Sequence, residues 1–375
     1  MDRRAEITEK TERAASMLVA ENLGGVLLGA QHNFSWLTAG SVNGIDTSRE
    51  PGACSILVRR SDSKRFVLAS RIEMARLLAE ELSAEDFEPV EYAWEEEKAS
   101  PTFLVDRALS LIGRGEALGS DLPLGGNTRT VEGALARCRY QLTASEIDRY
   151  RLLGRDAGET IGSLMRTLKP GESEREVARR AQYALAERGM HGVVVLVAAD
   201  ERIGKFRHPV ATERRWERVL MVVVCARRNG LIASLSRIIC VGPTPEELKR
   251  RTLSAARVDA SLLAATRPGA TGAELYRVAA RAYAEEGFEG EERLHHQGGA
   301  SGYRTRDWVA HPASEERVQA NQAFAWNPSI TGSKVEETSI AFDDGSEVIT
   351  ASPGWPSLSV TVEEREYVLP AVLAL

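Results

Sequence analysis

The sequence predicts a two-domain α+β protein: a smaller α/β domain over residues 1–140, then a domain over 141–375 built from two related halves around one central cleft. Three observations predict it. The chain has 375 residues, more than one hydrophobic core usually organises. Short apolar runs alternate with helix-period segments in its first third, the pattern of a layered α/β domain. Its remainder contains an internal repeat.

Helical periodicity begins at about Glu9 and runs to Glu21. Apolar runs follow at Gly25 to Gly29, Cys54 to Val58 and Arg65 to Ala69, separated by the turn-rich segments Asp46 to Gly52 and Arg60 to Lys64. Helices are expected at Ile72 to Leu82, Phe103 to Ile112 and Val131 to Arg137, with a short strand near Ala117 to Asp121 and a linker over Cys138 to Thr143. Capping boxes then mark helix starts at Thr143–Glu146, Ser173–Glu176 and Thr271–Glu274, each with a hydroxyl and a carboxylate placed to cover orphan N–H groups. Thr244-Pro-Glu-Glu247 adds a proline at the expected first helical position. Residues 169–190 align without gaps on residues 267–288, 98 positions later, with nine of 22 pairs identical, including Pro170/Pro268, Glu176/Glu274 and Gly189/Gly287. Each copy follows a long helix, Glu146 to Leu168 and Glu246 to Ala265, and precedes strand-like sequence. Duplicated halves pack about a pseudo-twofold axis, and their junction is where a cleft forms.

Composition narrows the function. A formal charge of −6, with no basic block, argues against a nucleic-acid or anionic-membrane surface. The longest apolar stretches, Val193 to Ala199 and Val219 to Ala226, suit buried strands and are far too short to span a bilayer. Cys54, Cys138, Cys225 and Cys240 show no CxxC spacing and sit among apolar neighbours, as reduced buried thiols do. The charged start, Met1-Asp-Arg-Arg-Ala-Glu6, shows no export segment, so a cytoplasmic protein is expected.

Several segments, in order, resemble the superfamily of creatinase, prolidase, aminopeptidase P and methionine aminopeptidase, which share the pita-bread fold. Gly24 to Gly29 with Asn33 to Gly40 resembles the start of a creatinase-type N-terminal domain. Thr143 to Met190 resembles the linker and first helix pair of the catalytic domain. Val222 to Gly242 follows its aspartate-bearing strands, His295-His-Gln-Gly298 with Gly302 its metal-histidine segment, and Phe324 to Ile340 its glutamate-bearing strands. The resemblance covers essentially the whole chain and implies a pita-bread C-terminal domain, a hydrolase and a homodimer.

It also implies a five-ligand dinuclear metal site that this sequence lacks. The aspartate positions fall on Val223 and Ser234 and the first glutamate on Asn327; His295 and Glu336 remain. Valine cannot ligate, and serine and asparagine do nothing to balance four positive charges. No metal or other cofactor is therefore expected. Metal-free relatives, creatinase and ectoine hydrolase, imply that chemistry survives such a loss. On that resemblance His208 falls on the proton-transferring histidine and Arg306 on the arginine that holds the substrate carboxylate, a role a guanidinium fork suits.

The expected catalytic residues are His208, His295 and Glu336, with a His295–Glu336 pair giving the carboxylate a partner. Arg306, Asn327 and His296 are expected to bind substrate, although adjacent His296 should face the other side of a strand from His295. Glu337, Trp308 and Trp326 read as structural, and Ser234 and Ser236 as hydrogen-bonding residues, since neither lies in a nucleophilic-serine motif. The resulting expectation is a metal-independent hydrolase of a C–N bond in a small carboxylate-bearing substrate or short peptide. Two alternatives stand beside it: an inactive pita-bread binding protein, and an Xaa-Pro-type peptidase with an atypical metal site.

Overall fold

The computed structural model describes residues 3–375 and divides after Arg139 into two compact units. In the first, α1 (Arg3–Ala20) leads into β1 (Gly25–Ala30), α2 (Gln31–Leu37), β2 (Pro51–Arg59), β3 (Arg65–Ser70), α3 (Arg71–Arg76), β4 (Glu88–Tyr92), α4 (Trp94–Ala99), α5 (Phe103–Ile112), β5 (Leu118–Ser120), β6 (Thr128–Thr130) and α6 (Glu132–Tyr140). The strands form one mixed sheet in the order β4-β3-β2-β1-β5-β6. β1 is buried along its whole length, which is why it reads as a continuous apolar run rather than an alternating one. Leu27, Leu57, Phe66 and Leu68 of the sheet pack with Val105 and Ala108 of α5 to make the core.

Three boundaries differ from the sequence reading. The first helix starts at Arg3, not Glu9, because its charged first turns bury a Glu6–Lys10 ion pair (2.6 Å) that looks solvent-facing in sequence. The helix expected over Ile72 to Leu82 narrows to α3 and is followed by a wider π-type turn, Leu77–Glu81. The linker is shorter than Cys138 to Thr143, since α6 continues to Tyr140 and only Gln141 and Leu142 separate it from the next cap.

The second unit shows the duplication. One half runs α7 (Ala144–Met165), α8 (Glu174–Glu187), β7 (His191–Ala199), α9 (Arg202–Lys205), β8 (Val219–Arg228) and β9 (Leu231–Cys240). The other runs α10 (Glu246–Ala265), α11 (Gly272–Glu285), β10 (Gly298–Ser301), β11 (Trp308–Val309), β12 (Gln322–Trp326), β13 (Ser329–Ile330), β14 (Ser333–Lys334), β15 (Glu337–Phe342) and β16 (Gly345–Val348). α8 and α11 have equal length and begin 98 residues apart, at 174 and 272. Gly171 and Gly269 explain the repeated Pro-Gly: both take a positive φ (92° and 94°) that admits glycine cheaply. Each then donates its N–H to a backbone carbonyl, of Trp216 and Val318 respectively, at 2.8 Å.

The capping boxes at Thr143, Ser173 and Thr271 form in full. The one expected at Thr244 does not, because Pro245 occupies the cap and leaves the hydroxyl one residue too early. β17 (Ser357–Val362) and β18 (Arg365–Pro370) make a separate hairpin, and β19 (Leu373–Ala374) completes the sheet β19-β9-β8-β7. The second sheet has the order β11-β10-β12-β15-β16. The two sheets are stitched at β9 and β15, where Ser234 and Thr338 exchange hydrogen bonds of 2.7 and 2.9 Å and Ser236 donates its backbone N–H to the Glu336 carbonyl at 3.0 Å. Among the described residues no helix is long and apolar enough to cross a membrane.

Candidate active site

β8 and β9 are joined by Asn229-Gly230, both at positive φ (50° and 81°), as in the tight turn that matches strand twist. That turn sets the register, placing Val223 opposite Ser236 and Cys225 opposite Ser234. From the other half, β10 pairs with β12 so that Asn327, just past β12, donates its N–H to Gln297 at 3.0 Å. Gln297 is the anchor of the histidine segment. Its amide donates to the His295 carbonyl at 2.6 Å and its oxygen accepts from the buried Tyr283 hydroxyl at 2.7 Å.

His208 arrives on the loop after α9, held by its neighbour Arg207. That guanidinium donates to Ser329 Oγ (3.1 Å) and Thr331 Oγ1 (2.9 Å) and pairs with Glu291. The outcome is a cluster of His208, His295 and His296 in which one ring nitrogen from each lies within 4.8 Å of the others. The Nε2 atoms of His208 and His295 are 3.0 Å apart, so the N–H of one ring donates a hydrogen bond to the bare nitrogen of the other. His295 and His296 do not lie on a strand, as expected, but in the loop before β10, and their rings stack at 4.4 Å instead of diverging.

The His295–Glu336 pair is not formed. Glu336, 3% exposed, pairs instead with two cations: Arg306 Nη2 at 3.2 Å and Lys334 Nζ at 3.5 Å. A buried carboxylate gains more from charged donors than from a neutral imidazole, which explains the choice. Arg306 is accordingly not an open fork. One end serves Glu336, Nη1 donates to the Thr305 carbonyl at 2.5 Å, and Nε has no partner. Glu337 faces away, pairing with buried Arg237 at 2.7 Å and with Thr350.

Besides Arg306 Nε, His295 Nδ1, Asn327 Oδ1 and Ser236 Oγ are buried without a partner. Buried polar atoms are seldom orphaned, and these four sit on residues tied to the histidine segment or to Glu336, which leaves them open to a polar ligand. A surface groove of about 930 Å³ beside α8, past Arg179, Tyr183 and Arg215, contains none of these residues. Its charged lining is largely paired within itself, Arg180 with Glu172 and Arg215 with Glu176, unlike the histidine cluster with its unpartnered atoms.

Electrostatics keep the imidazoles neutral. Burial, then Lys334, lowers His295 to about 2; burial, then Arg306, lowers His296 to about 4; burial, then Lys334, lowers His208. Above pH 7 neither the folded nor the unfolded chain protonates these rings, so they contribute no pH dependence. Below an unfolded value of about 6.5, the unfolded chain binds protons that the folded chain refuses, and stability falls as pH falls. This continues to about pH 4 for His296 and lower for His295. Urea unfolding from pH 7 to 4 is therefore expected to show a declining acid limb that His295→Gln and His296→Gln each flatten. Unchanged slopes would mean that these rings are not held neutral.

The dinuclear metal set implied by resemblance does not fit. Val223 offers no donor, Asn327 and Ser234 no charge, and the remaining carboxylate already carries an ammonium and a guanidinium. Sequence reasoning missed Lys334 and Arg207. Lys334 had a signal: it stands two residues before Glu336 in an extended segment, the spacing that puts two side chains on one face. It also missed Asp259 of α10, fully buried with neither oxygen partnered; burial, with Glu337 and Glu336 nearby, pushes this carboxyl well above the usual range.

Comparison with known proteins gives this arrangement a context. Residues 148–359 match the model of "Metallopeptidase family M24". A Xaa-Pro dipeptidase of Pyrococcus furiosus is 24% identical over 234 residues, which cover 59% of this chain and 66% of that protein, just under two thirds of its length. Among solved structures, the dipeptidase PepE of Mycobacterium ulcerans superposes with a TM-score of 0.78 at 18% identity, covering 99% of each chain. A Xaa-Pro dipeptidase from Bacillus anthracis gives 0.75 at 18% identity, covering 98% of this chain and 100% of that one.

Proposed function

Because the chain belongs to metallopeptidase family M24, we propose that it is a hydrolase that has exchanged metal for fixed side-chain charges, cleaving a C–N bond in a small carboxylate-bearing substrate or short peptide. The observation that carries this is the Arg306–Glu336–Lys334 triad. Two cations on one carboxylate, beside three neutral imidazoles, leave the site net positive. Such a site attracts an anion and repels divalent cations.

His208 and His295 are the acid–base pair. One neutral imidazole takes a proton from the attacking water as its oxygen bonds to the substrate carbon. The proton then passes to the departing nitrogen as the C–N bond breaks, leaving both rings as they began. Asn327 and Ser236 offer their orphan oxygens to substrate N–H groups, and Arg306 Nε donates to the substrate carboxylate. His296 stacks on His295 and fixes its plane. The named activity of the relatives suggests dipeptides with proline in second position as the first substrates to try.

The test is elemental analysis of protein purified without chelator, together with hydrolysis of a dipeptide panel before and after EDTA. Well under one equivalent of Mn, Zn, Fe or Co is expected, with any turnover unchanged by EDTA. Two tightly held equivalents, or turnover abolished by EDTA and restored by metal, would overturn the proposal.

A further inference from the structure

His208, His295 and His296 present three ring nitrogens within 4.8 Å of one another. Glu336 acts electrostatically on two of them, His208 and His296. Three imidazoles are a common donor set for a single transition-metal ion. Yet the carboxylate is capped by Lys334 on one oxygen and Arg306 on the other. The ammonium is 6% exposed, on β14, whose hairpin with β13 is pinned through Ser329 and Thr331 to the arginine beside His208. It is also an electrostatic neighbour of all three histidines.

We propose that Lys334 is the resident cation of this site: held on Glu336, it shuts metal out of a latent mononuclear centre made by His208, His295 and His296. This rests on the metal-independent reading and names the residue that enforces it. A divalent ion brought to these imidazoles would meet a buried positive charge, and Coulomb repulsion is poorly screened in a buried site. Lysine suits the task because its ammonium is a compact charge on a stem that packs in apolar surroundings.

Co²⁺ is the probe, read by the visible absorption of its coordinated form and by metal retained after gel filtration. Wild-type protein is expected to bind it weakly. Lys334→Met keeps the stem and removes the charge; it is expected to bind about one equivalent at least ~100-fold more tightly. Lys334→Arg keeps the charge and should behave as wild type, and adding His295→Ala to Lys334→Met should return binding to the wild-type level. If Lys334→Met does not fold by circular dichroism, Lys334→Gln makes the same comparison.

Equal Co²⁺ binding by wild type and the neutral variant overturns the proposal. If both bind weakly, the metal-independent reading still stands. If wild type itself holds a tight equivalent, that reading falls as well.

Discussion

Glu336→Gln is expected to destabilise the C-terminal unit by about 3–5 kcal/mol, because removing one partner of a buried ion group strands the others. Here two cations are stranded. Lys334 and Arg306 have side chains only 6% and 13% exposed, so water cannot replace the carboxylate for either. Glutamine keeps the shape and one acceptor oxygen, so the loss reports charge rather than a cavity. In a unit of this size the change corresponds to roughly 10 °C in melting temperature.

The Arg151–Glu347 pair provides the contrast. It is shorter, 2.6 Å, but its side chains are 45% and 40% exposed, and Glu347→Gln is expected to cost less than about 1 kcal/mol. Burial, not distance, decides between the two. Combining Glu336→Gln with Lys334→Met should recover part of the loss, since the double variant strands one cation instead of two; a double-mutant cycle reads that coupling. If Glu336→Gln costs no more than Glu347→Gln, the triad is solvated and does not set the charge of the site.

How much of this was legible in the sequence depends on the range over which residues interact. The 98-residue repeat was legible because each copy carries its own local instructions: a glycine at positive φ, a hydroxyl cap and a returning carboxylate. The three histidines, Arg306, Asn327 and Glu336 were also legible, through a resemblance that preserves their order along the chain. What failed was the pairing. His295 and Glu336 were matched to give the carboxylate a partner, but a carboxylate entering a buried site takes the strongest donors there, and Lys334 was not singled out. The strand placement of His295 and His296 failed for a related reason. Gln297 turns the segment by binding the His295 carbonyl with its side chain, and that contact depends on Tyr283 in a helix the local pattern does not connect to it.

The same neutral imidazoles lead to the largest kinetic effect expected. His208→Gln should lower turnover of any dipeptide that the wild type hydrolyses by about 10²–10⁴-fold, the usual contribution of a positioned acid–base group. Its folding should be nearly intact, because His208 is only partly buried, one side of it open to solvent, and its loop is tethered by Arg207. His191→Gln, at an exposed position opening β7, is the control and should keep full activity. The pH profile adds a readout that a structural role would not move. Burial, then Lys334, depresses His208 below its ordinary value of 6.5, and the base must be unprotonated to accept a proton from water. Activity should therefore fall on acidification with a midpoint below pH 6.5 and be flat from there to pH 8. Lys334→Gln removes one of the charges that depress it, so the midpoint should rise in that variant while Lys334→Arg leaves it in place. A wild-type midpoint above pH 7 would mean that His208 is not the base. Turnover unchanged in His208→Gln would remove it from the chemistry, and a wild type that binds carboxylates but hydrolyses none of the panel would make this a binding protein on a peptidase fold.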